Sequence, residues 1–345
     1  MDRIKTIEFK DNILHLIDQR KLPLSYQIFQ CTSYRDVDFA IKDMVVRGAP
    51  AIGVAGAYGV VLAAKEFIDC DRDDFLIHMD EALEILNRSR PTAVNLMWAI
   101  NKMRSIIEEN KDLPPADLYD KLRQEADRML KQDIDTNRKM GKVGNEIVNE
   151  KATILTHCNT GALATAGFGT ALGVIREAFY SGKDIFVYAD ETRPRLQGAR
   201  LTAWELLEEG IPCKLIADSA AATLIRDKKI DLILVGADRI ALNGDTANKI
   251  GTFMLSVLAK EYEVPFYVVA PTSTIDFDIE TGDEIIIEER DNSEVTHMEG
   301  IRIAPEGIDV YNPAFDVTPH ENITGIITEE GIIKSPFREN ILKLK

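Results

Sequence analysis

The chain has 345 residues, of which 45% are hydrophobic, 28% charged and 7% aromatic. At roughly 150 residues per domain this length corresponds to about two domains, and the apolar content suffices for a buried core, which excludes an intrinsically disordered chain. Acidic residues outnumber basic residues 57 to 41, giving a formal charge of −16. A nucleic-acid partner is therefore not expected, because proteins that grip phosphate backbones are usually basic.

The first part of the chain is predicted to be mostly helical. The first 34 residues favour a short pair of strands, and from Arg35 to Asn149 apolar residues recur at intervals of three and four, which is typical of amphipathic helices. A turn is predicted at Arg90–Pro91. The stretch Gly48–Ala64 is uncharged over 17 residues. As a helix it would reach only about 25 Å, short of a bilayer core of ~30 Å, so we expect it inside the protein and no membrane partner.

The second part of the chain predicts a parallel sheet. From Ala152 onward, short apolar strands alternate with amphipathic helices, a pattern typical of a parallel sheet covered on both faces, so the fold class is α/β. The predicted strands are ATILTHC, DIFVYAD, CKLIAD, DLILVGAD and PFYVVAP. The predicted helices are ALATAGFGTALGVIREAFYSG, ARLTAWELLEEG, SAAATLIRDKK and TANKIGTFMLSVLAKEY. Since no Pro/Gly/Ser-rich linker is present, the boundary is placed inside a helical stretch and divides the chain into 1–130 and 131–345.

Cysteine usage and the N-terminal residues predict the compartment. The four cysteines, Cys31, Cys70, Cys158 and Cys213, are far apart and show no CxxC spacing. This pattern suggests neither a zinc site nor a disulfide framework. The N-terminal residues contain no apolar region of the kind found in a secretory signal. We therefore expect a cytoplasmic protein with no metal site.

Polar side chains follow four of the predicted strands. Cys158, Asp190, Asp218 and Asp238 each come at a strand's carboxyl end, the edge beyond which open parallel sheets bind ligands. For Asp190 and Asp218, capping of the following helix is the favoured interpretation. For Cys158 the alternatives are a small core side chain and a reactive thiol. The helix predicted after Gly161 would point its N-terminus at the thiol and favour the thiolate.

His157 and Asp238 need separate interpretations. Consecutive strand residues point to opposite faces, so His157 is not expected to pair with the thiol of Cys158 and is predicted to be packed or hydrogen-bonded. Asp238 ends a strand expected to be buried on both faces, and desolvation would raise the pKa of its carboxyl group, as proton-transfer chemistry near pH 7 needs. The alternative for Asp238 is a structural ion pair with Arg239. Asn248 and Lys249 are predicted in the first turn of the next helix, within reach of a ligand over the strand ends.

Cationic and backbone donors suggest an anionic ligand. The segment Arg47–Gly53 offers an arginine, accessible Gly and Ala amides, and Pro50 at a predicted helix start, which together favour phosphate binding. Arg90 is a second candidate, and the segment TRPRLQGARLT adds Gln197 and three arginines. Close helix packing explains a glycine-rich helix start equally well. The chain has neither a P-loop nor a GxGxxG, HExxH or GxSxG motif, so nucleotide kinases, dehydrogenases, zinc proteases and serine hydrolases lack support.

Five long segments of the chain carry a family resemblance. They are RGAPAIGVAGAYG (Arg47–Gly59), SRPTAVNLMWA (Ser89–Ala99), THCNTGALATAGFGTALGVI (Thr156–Ile175), DETRPRLQGARLTAWEL (Asp190–Leu206) and GADRIALNGDTANKIGT (Gly236–Thr252). In order and over nearly the whole chain, they resemble the methylthioribose-1-phosphate isomerase family of methionine salvage. Relatives of that family include the regulatory subunits of the eukaryotic exchange factor for initiation factor two and archaeal ribose-1,5-bisphosphate isomerase.

The resemblance implies a fold, an activity and a set of site residues. It implies an N-terminal mostly helical domain with a small β element, a C-terminal Rossmann-like catalytic domain, and a homodimer. It also implies conversion of 5-methylthioribose 1-phosphate, a small phosphorylated sugar, to 5-methylthioribulose 1-phosphate with no cofactor. Cys158 and Asp238 match the family's catalytic pair. The matching substrate-binding positions are Arg47, Gly48, Ala49, Arg90, Gln197, Asn248 and Lys249.

Two other functions compete with this one. A relative that kept the fold but lost catalysis would be a binding protein of the initiation-factor-exchange type. Another isomerase of the family would act on 5-deoxyribose 1-phosphate or ribose 1,5-bisphosphate. A bisphosphate needs a second cationic subsite, whereas a methylthio group needs an apolar pocket, and the apolar segments around Cys158 and Arg90 favour the methylthio substrate.

Overall fold

The protein forms two compact units in the computed structural model, which describes residues 4–90 and 93–345. One unit contains the described residues up to Thr136 together with Ala162–Gly169. The other contains Asn137–Gly161 and Thr170–Lys345. The domain division at residue 130 stays a prediction, and the predicted turn at Arg90–Pro91 lies partly outside the described residues.

A three-stranded antiparallel sheet opens the first unit. Its strands are β1 (Ile7–Lys10), β2 (Ile13–Ile17) and β3 (Ile28–Cys31), paired in that order. Asp11 and Asn12, between β1 and β2, have φ values of 52° and 59°. Positive φ at both turn residues is what a tight type I′ hairpin requires. The short pair of strands predicted for the first 34 residues is therefore a group of three, of which the first two form a hairpin.

Five helices complete the described part of the first unit, and the last of them continues into the second. They are α1 (Tyr34–Lys42), α2 (Ala49–Glu66), α3 (Arg72–Asn87), α4 (Val94–Glu109) and α5 (Pro115–Asn145), the last belonging to this unit as far as Thr136. Every residue of α2 from Ala51 to Ala64 is buried, as expected for a helix that is apolar on all sides. The packing expected for Gly48–Ala64 is thus confirmed from Ala51 onward. Among the described residues, no helix combines the length and apolar character needed to cross a bilayer.

The second unit contains a seven-stranded sheet and several shorter pairings. Its strands are β4 (Lys151–Thr156), β5 (Asp184–Asp190), β6 (Cys213–Ile216), β7 (Leu232–Val235), β8 (Arg239–Ile240), β9 (Thr246–Lys249), β10 (Phe266–Val269), β11 (His297–Met298), β12 (Ile301–Arg302), β13 (Phe315–Thr318), β14 (Gly325–Thr328) and β15 (Gly331–Ile333). Its helices after α5 are α6 (Ala171–Tyr180), α7 (Ala203–Glu209), α8 (Ala220–Arg226), α9 (Thr252–Glu261), α10 (Ser293–Thr296) and α11 (Phe337–Leu342).

The order of the large sheet creates a switch point beside β4. The strands run β15-β14-β10-β7-β4-β5-β6, and all neighbours are parallel except β15, which pairs antiparallel with β14. From β4 the chain moves outward through β5 and β6, then returns to the opposite side of β4 with β7. Open α/β sheets bind ligands at such a reversal, beyond the carboxyl ends of the strands.

Apolar cores cover both faces of this sheet. Along β7, Ile233 and Val235 belong to one buried cluster, whereas Leu232 and Leu234 belong to another. The first cluster includes residues of α8 and α9, and the second includes residues of α6. The predicted α/β class, with a helical first part and a mostly parallel sheet in the second part, is confirmed.

Two predicted helices are wrong in their first residues. The helix expected from Ala162 begins at Ala171, and Ala162–Ala164 form only one 3₁₀ turn. The segment TANK is strand β9, which pairs with β13 and β8, so Asn248 and Lys249 do not lie in a helical turn. Pairing with two strands outweighs the local helical pattern, and Gly251, at φ 103°, ends the strand before α9 begins.

Candidate active site

Cys158 lies two residues beyond the end of β4, at the switch point of the sheet. It is 8% exposed, and its backbone has a φ of 64°, a left-handed value that is uncommon for a residue with a side chain. Its N–H donates to Oγ1 of Thr192 at 2.8 Å, and Oγ1 of Thr202 donates to its carbonyl oxygen at 2.6 Å. The helix predicted to point at the thiol does not start here, because α6 begins only at Ala171.

His157 forms a buried pair with Asp190. Its Nδ1 lies 2.9 Å from Oδ2 of Asp190, and its Nε2 lies 2.8 Å from the carbonyl oxygen of Ile250. A carbonyl can only accept, so Nε2 carries a hydrogen and the contact with Asp190 needs a second proton, on either partner. The predicted hydrogen-bonded histidine is confirmed. The predicted helix-capping role of Asp190 is wrong, because its side chain is 0% exposed and faces His157.

Burial and mutual attraction shift both pKa values in this pair. Burial lowers the pKa of His157, but the hydrogen bond and charge of Asp190 outweigh it, so the net shift is upward. Burial raises the pKa of Asp190 to about 6, against the opposing effect of His157. Both directions favour retention of the shared proton. The pair therefore holds the residue before Cys158 in place as a net neutral unit.

Asp218 anchors the loop that carries Thr192. Its two carboxylate oxygens accept the N–H groups of Thr192 and Arg193, each at 2.7 Å. The predicted capping role of Asp218 is wrong, because α8 starts after Ser219 and has no side-chain cap hydrogen bond. Sequence reasoning missed Thr192 and Thr202, since the segment TRPRLQGARLT was considered only for its arginines and its glutamine.

Asn159, the residue after Cys158, is held by a buried charged network. Its Nδ2 donates to Oε1 of Glu205 at 2.8 Å, and Oε2 of the same carboxylate accepts from Nη2 of Arg176 at 2.7 Å. Nε of Arg176 also lies 3.4 Å from Oε1 of Glu209. No sequence motif marks these residues, because each reads as a polar position on an amphipathic helix. The network nevertheless fixes the chain on the far side of the thiol.

Among the described residues, two groups of side chains have the composition of a metal site. Ligand atoms of His157, Asp190 and Asp218 lie within 4.8 Å of one another, as do those of Asp245, His320 and Glu321. In the first group, both ring nitrogens of His157 and both oxygens of Asp218 already have hydrogen-bond partners. In the second, Asp245 accepts from an amide side chain, two backbone N–H groups and His320. Hydrogen bonds within the protein thus occupy most of these atoms, and we assign no metal to either group.

Asp238 lies three residues beyond the end of β7, the strand that pairs with β4 on the side opposite β5. Its N–H donates to the carbonyl oxygen of Ala247 at 2.8 Å. The expected desolvation of Asp238 is wrong, because the apolar run ends at Val235 and the side chain of Asp238 is exposed. A Cβ at Gly236 would lie 2.7 Å from Cγ2 of Thr160, so the chain after β7 closely approaches the chain after β4.

The other predicted residues of the second unit lie on β9 and after β5. Asn248 donates from Nδ2 to Oγ1 of Thr252 at 2.9 Å. Nζ of Lys249 donates to the carbonyl oxygen of Ala314 at 2.8 Å and lies 4.6 Å from the ring centroid of Phe315. Gln197 is 8% exposed, and its Oε1 has no hydrogen-bond partner among the described residues. An unsatisfied buried oxygen of this kind suits a hydroxyl donor on a ligand.

The four predicted residues of the first unit lie at the start of α2 and before α4. Gly48 precedes α2 with a φ of 92°, and a Cβ there would lie 2.2 Å from the carbonyl oxygen of Ala164. Ala49 opens the helix, whose first N–H groups have no intrahelical acceptor. Arg47 and Arg90 are both half-buried. Position 48 requires glycine, because the positive φ and the close approach of Ala164 leave no room for a side chain.

Comparison with known proteins identifies the family. Residues 45–335 match the model of the initiation factor 2 subunit family. The chain belongs to this family. Among its relatives, a methylthioribose-1-phosphate isomerase of Caldanaerobacter subterraneus subsp. tengcongensis is 73% identical over 345 residues, covering 100% of both chains. A second one, from Natranaerobius thermophilus, is 58% identical over 341 residues, covering 98% of both chains.

Solved structures of the initiation factor 2 subunit family share this fold. The crystal structure of 5-methylthioribose 1-phosphate isomerase from Pyrococcus horikoshii OT3 has a TM-score of 0.95 at 45% identity, covering 99% of this chain and 96% of that one. The crystal structure of the translation initiation factor eIF-2B, subunit delta, from A. fulgidus has a TM-score of 0.91 at 42% identity, covering 99% of both chains. A protein named as an isomerase and one named as a translation factor subunit thus lie at similar structural distance from this chain.

Proposed function

We propose that this protein is an isomerase that converts 5-methylthioribose 1-phosphate to 5-methylthioribulose 1-phosphate in methionine salvage. The observation that carries this conclusion is the 73% identity, over the full length of both chains, to a methylthioribose-1-phosphate isomerase. The sheet supports it, because Cys158 and Asp238 follow the neighbouring strands β4 and β7 at a switch point.

The chemistry of this substrate defines what the residues must do. Phosphate on the anomeric oxygen prevents simple opening to an aldehyde. In one route the ring oxygen takes a proton as its bond to C1 breaks, hydride moves from C2 to C1, and the C2 hydroxyl loses a proton. In the other route the hydrogen leaves C2 as a proton and C1 is protonated later, through an enediolate. In both, C2 is oxidised and C1 is reduced within one molecule, so atoms and electrons balance without an external oxidant.

We assign roles to the two residues at the strand ends. Bound sugar covers the exposed carboxyl group of Asp238 and thereby favours its protonated form, and Asp238 then donates that proton to the ring oxygen. Cys158 stabilises the transition state or serves as the partner in proton transfer. Both roles need the reacting atoms held at close, fixed positions, which is where most of the rate enhancement from binding arises.

The remaining residues bind substrate in this proposal. In the first unit, Arg47, Arg90 and the N–H groups of Gly48 and Ala49 bind phosphate. In the second unit, Gln197 and Asn248 orient sugar hydroxyls, and Lys249 adds a positive charge. The unsatisfied Oε1 of Gln197 supports its part, since a sugar hydroxyl would supply the missing donor. The charge-assisted hydrogen bonds from the arginines to phosphate contribute roughly 1.5–3 kcal/mol each.

The activity is tested with purified protein and three phosphorylated sugars. We expect 5-methylthioribose 1-phosphate to be isomerised, with the ketose product identified by NMR. Preferred turnover of ribose 1,5-bisphosphate or 5-deoxyribose 1-phosphate would move the substrate assignment to that sugar. No turnover of any of the three, together with binding to the initiation factor, would replace the enzyme with a binding protein, in line with the name of the A. fulgidus relative.

The two catalytic assignments are tested by single substitutions with matched controls. Cys158→Ser and Asp238→Asn should each lose most turnover while the circular dichroism spectrum and melting temperature are retained. Cys213→Ser, on a half-buried cysteine of β6, controls the first substitution, and Asp231→Asn, at the opposite end of β7, controls the second. Near-normal kcat in either test variant would refute that residue's role. Deuterium at C1 of product formed in deuterated water would identify the enediolate route.

The proposal also covers the oligomeric state, the compartment and the ligands of the enzyme. We expect a homodimer in the cytoplasm, with a Rossmann-like catalytic domain, a small sugar phosphate as the only ligand and no cofactor. Sedimentation equilibrium of the purified chain tests the dimer, and a monomer at micromolar concentration would contradict it.

A further inference from the structure

We propose that Thr192 and Thr202 are positioning residues that hold the backbone of Cys158 in its left-handed conformation, and that Asp218 holds Thr192 in turn. The proposal deepens the proposed function and rests on it, because it concerns the residue assigned to catalysis. It concerns an internal support within the second unit and adds no new contact to the substrate.

Two residues of this support have backbone conformations that oppose their own preferences. Cys158 has a φ of 64° and Thr192 a φ of 63°. A left-handed φ is unusual for any residue with a side chain and is a clear outlier for a β-branched one such as threonine. Conformations of this kind persist only where the surroundings determine them, and they concentrate at functional sites.

The hydroxyl groups of Thr192 and Thr202 form hydrogen bonds with the N–H and the carbonyl oxygen of Cys158, and the donors and acceptors of these bonds are mutually compatible. Oγ1 of Thr192 accepts the N–H of Cys158 and donates to the carbonyl oxygen of Asp190 at 3.2 Å. Oγ1 of Thr202 accepts from Nδ2 of Asn159 at 3.2 Å and donates to the carbonyl oxygen of Cys158. Each hydroxyl has one proton, and each donates once. Both threonines are buried, so loss of either hydroxyl leaves a backbone group without this partner in a buried place.

Asp218 extends the support by one step. Its carboxylate accepts the N–H groups of Thr192 and Arg193, which fixes the strained turn after β5. Asp218 is half-buried, so a substitution there disturbs packing less than one at a threonine. The connection runs from Asp218 through Thr192 to the backbone of Cys158. Weakening either link should let Cys158 relax toward an ordinary φ, which would turn its Cβ and displace Sγ.

The test measures turnover and thiol reactivity in parallel. Thr192→Val keeps the shape and removes the hydroxyl, Thr192→Ser restores it, and Asp218→Asn removes one acceptor. Thr324→Val is the control for the loss of a hydroxyl acceptor away from the site, since Oγ1 of the exposed Thr324 also accepts a backbone N–H, that of Phe266, at the amino end of β10. Iodoacetamide labelling of Cys158, followed by peptide mass spectrometry between pH 6 and 9, reports the thiol without substrate.

The expected result is a loss of kcat with little change in KM. A displacement of about 1 Å can cost on the order of 100-fold in rate, so we expect Thr192→Val to lower kcat at least about tenfold. Its Cys158 should be labelled about fivefold faster or more, because the loop opens more often once its hydrogen bond is lost. Thr192→Ser should lie near wild type, Asp218→Asn between the two, and Thr324→Val at wild type.

Several results would overturn the proposal. It fails if folded Thr192→Val keeps both kcat and labelling at wild-type values, or if only one of the two readouts changes. If Thr192→Val does not fold, Asp218→Asn decides, and unchanged readouts there refute the support. If wild type isomerises none of the sugars, the proposed function fails on its own, and the labelling rates still decide whether the threonines hold Cys158.

Discussion

Replacing Arg176 by Met should destabilise the second unit strongly, because it removes a buried cation from between two buried carboxylates. Arg176 is 2% exposed, Glu205 is 0% and Glu209 is 4%. Nη2 of Arg176 donates to Glu205 at 2.7 Å, and Nε lies 3.4 Å from Glu209. Methionine fills much of the space of the arginine stem, so the change acts mainly on charge.

The magnitude follows from the burial of all three side chains. Removing one partner of a buried ion pair costs about 3–5 kcal/mol, because the other charge is left desolvated. A domain of roughly 150–250 residues loses about 2–4 °C in melting temperature per kcal/mol, so the expected drop is about 6–20 °C. An exposed pair gives a different expectation. Arg226 and Asp227 have side chains 59% and 44% exposed, so water already hydrates both charges and Arg226→Met should leave the melting temperature close to that of wild type.

Thermal and urea unfolding, followed by circular dichroism, measure both variants. The double variant Arg176→Met/Glu205→Gln should be more stable than Arg176→Met alone, since one uncompensated charge is gone. The reasoning is refuted if Arg176→Met melts at the same temperature as Arg226→Met, or if the double variant is less stable than Arg176→Met. The first result would mean that the carboxylates find other partners, and the second that Gln cannot replace Glu beside Asn159.

Three further predictions concern backbone and charge. Gly251→Ala should lower the free energy of unfolding in urea by at least about 1–3 kcal/mol, because Gly251 has a φ of 103° and a Cβ would lie 2.9 Å from Cε1 of His157. An unchanged free energy of unfolding would contradict this geometry. Gly48→Ala should destabilise the first unit, because φ is 92° and a Cβ would lie 2.2 Å from the carbonyl oxygen of Ala164; limited proteolysis at unchanged rate would disprove it. The raised pKa of His157 stabilises the fold fully below its ordinary pKa of 6.5, and that contribution is lost as pH rises through the folded-state value. Urea midpoints of wild type should therefore fall from pH 6 to 9 more steeply than those of Asp190→Asn, and equal slopes would exclude the pair as the cause.

The sheet could be predicted because most of its strands coincide with short apolar runs in the sequence. All five predicted strands of the parallel core are present, and Cys158, Asp190, Asp218 and Asp238 lie at or just beyond the carboxyl ends of four of them. The periodicity of the first part likewise yields its helices. What periodicity cannot supply is the pairing partner, so TANK, which β13 and β8 hold as a strand, was predicted as a helix. The same lack of long-range information hid the assignment of Ala162–Gly169 to the first unit.

The environment of the candidate site could be predicted only in part. His157 was expected to be packed or hydrogen-bonded, and it is hydrogen-bonded. Its partner Asp190 was interpreted as a cap, because a polar residue at a strand end is compatible with either role. Burial of Asp238 was inferred from the apolar strand before it, yet β7 ends at Val235 and Asp238, three residues later, is exposed. The support of Cys158 by Thr192 depends on two segments that are distant in sequence, which no local pattern records.

The geometry after β4 explains why strain occurs at the cysteine. The chain leaves the second unit after Gly161 and returns at Thr170, and the N–H of Thr170 donates to the carbonyl oxygen of Thr160 at 2.8 Å. The exit and the return are therefore adjacent, and the chain has to turn sharply just beyond β4. The positive φ of Cys158 lies within that turn. Thr160 also packs where Gly236 has no side chain, so the same short segment that strains Cys158 closely approaches the residues leading to Asp238.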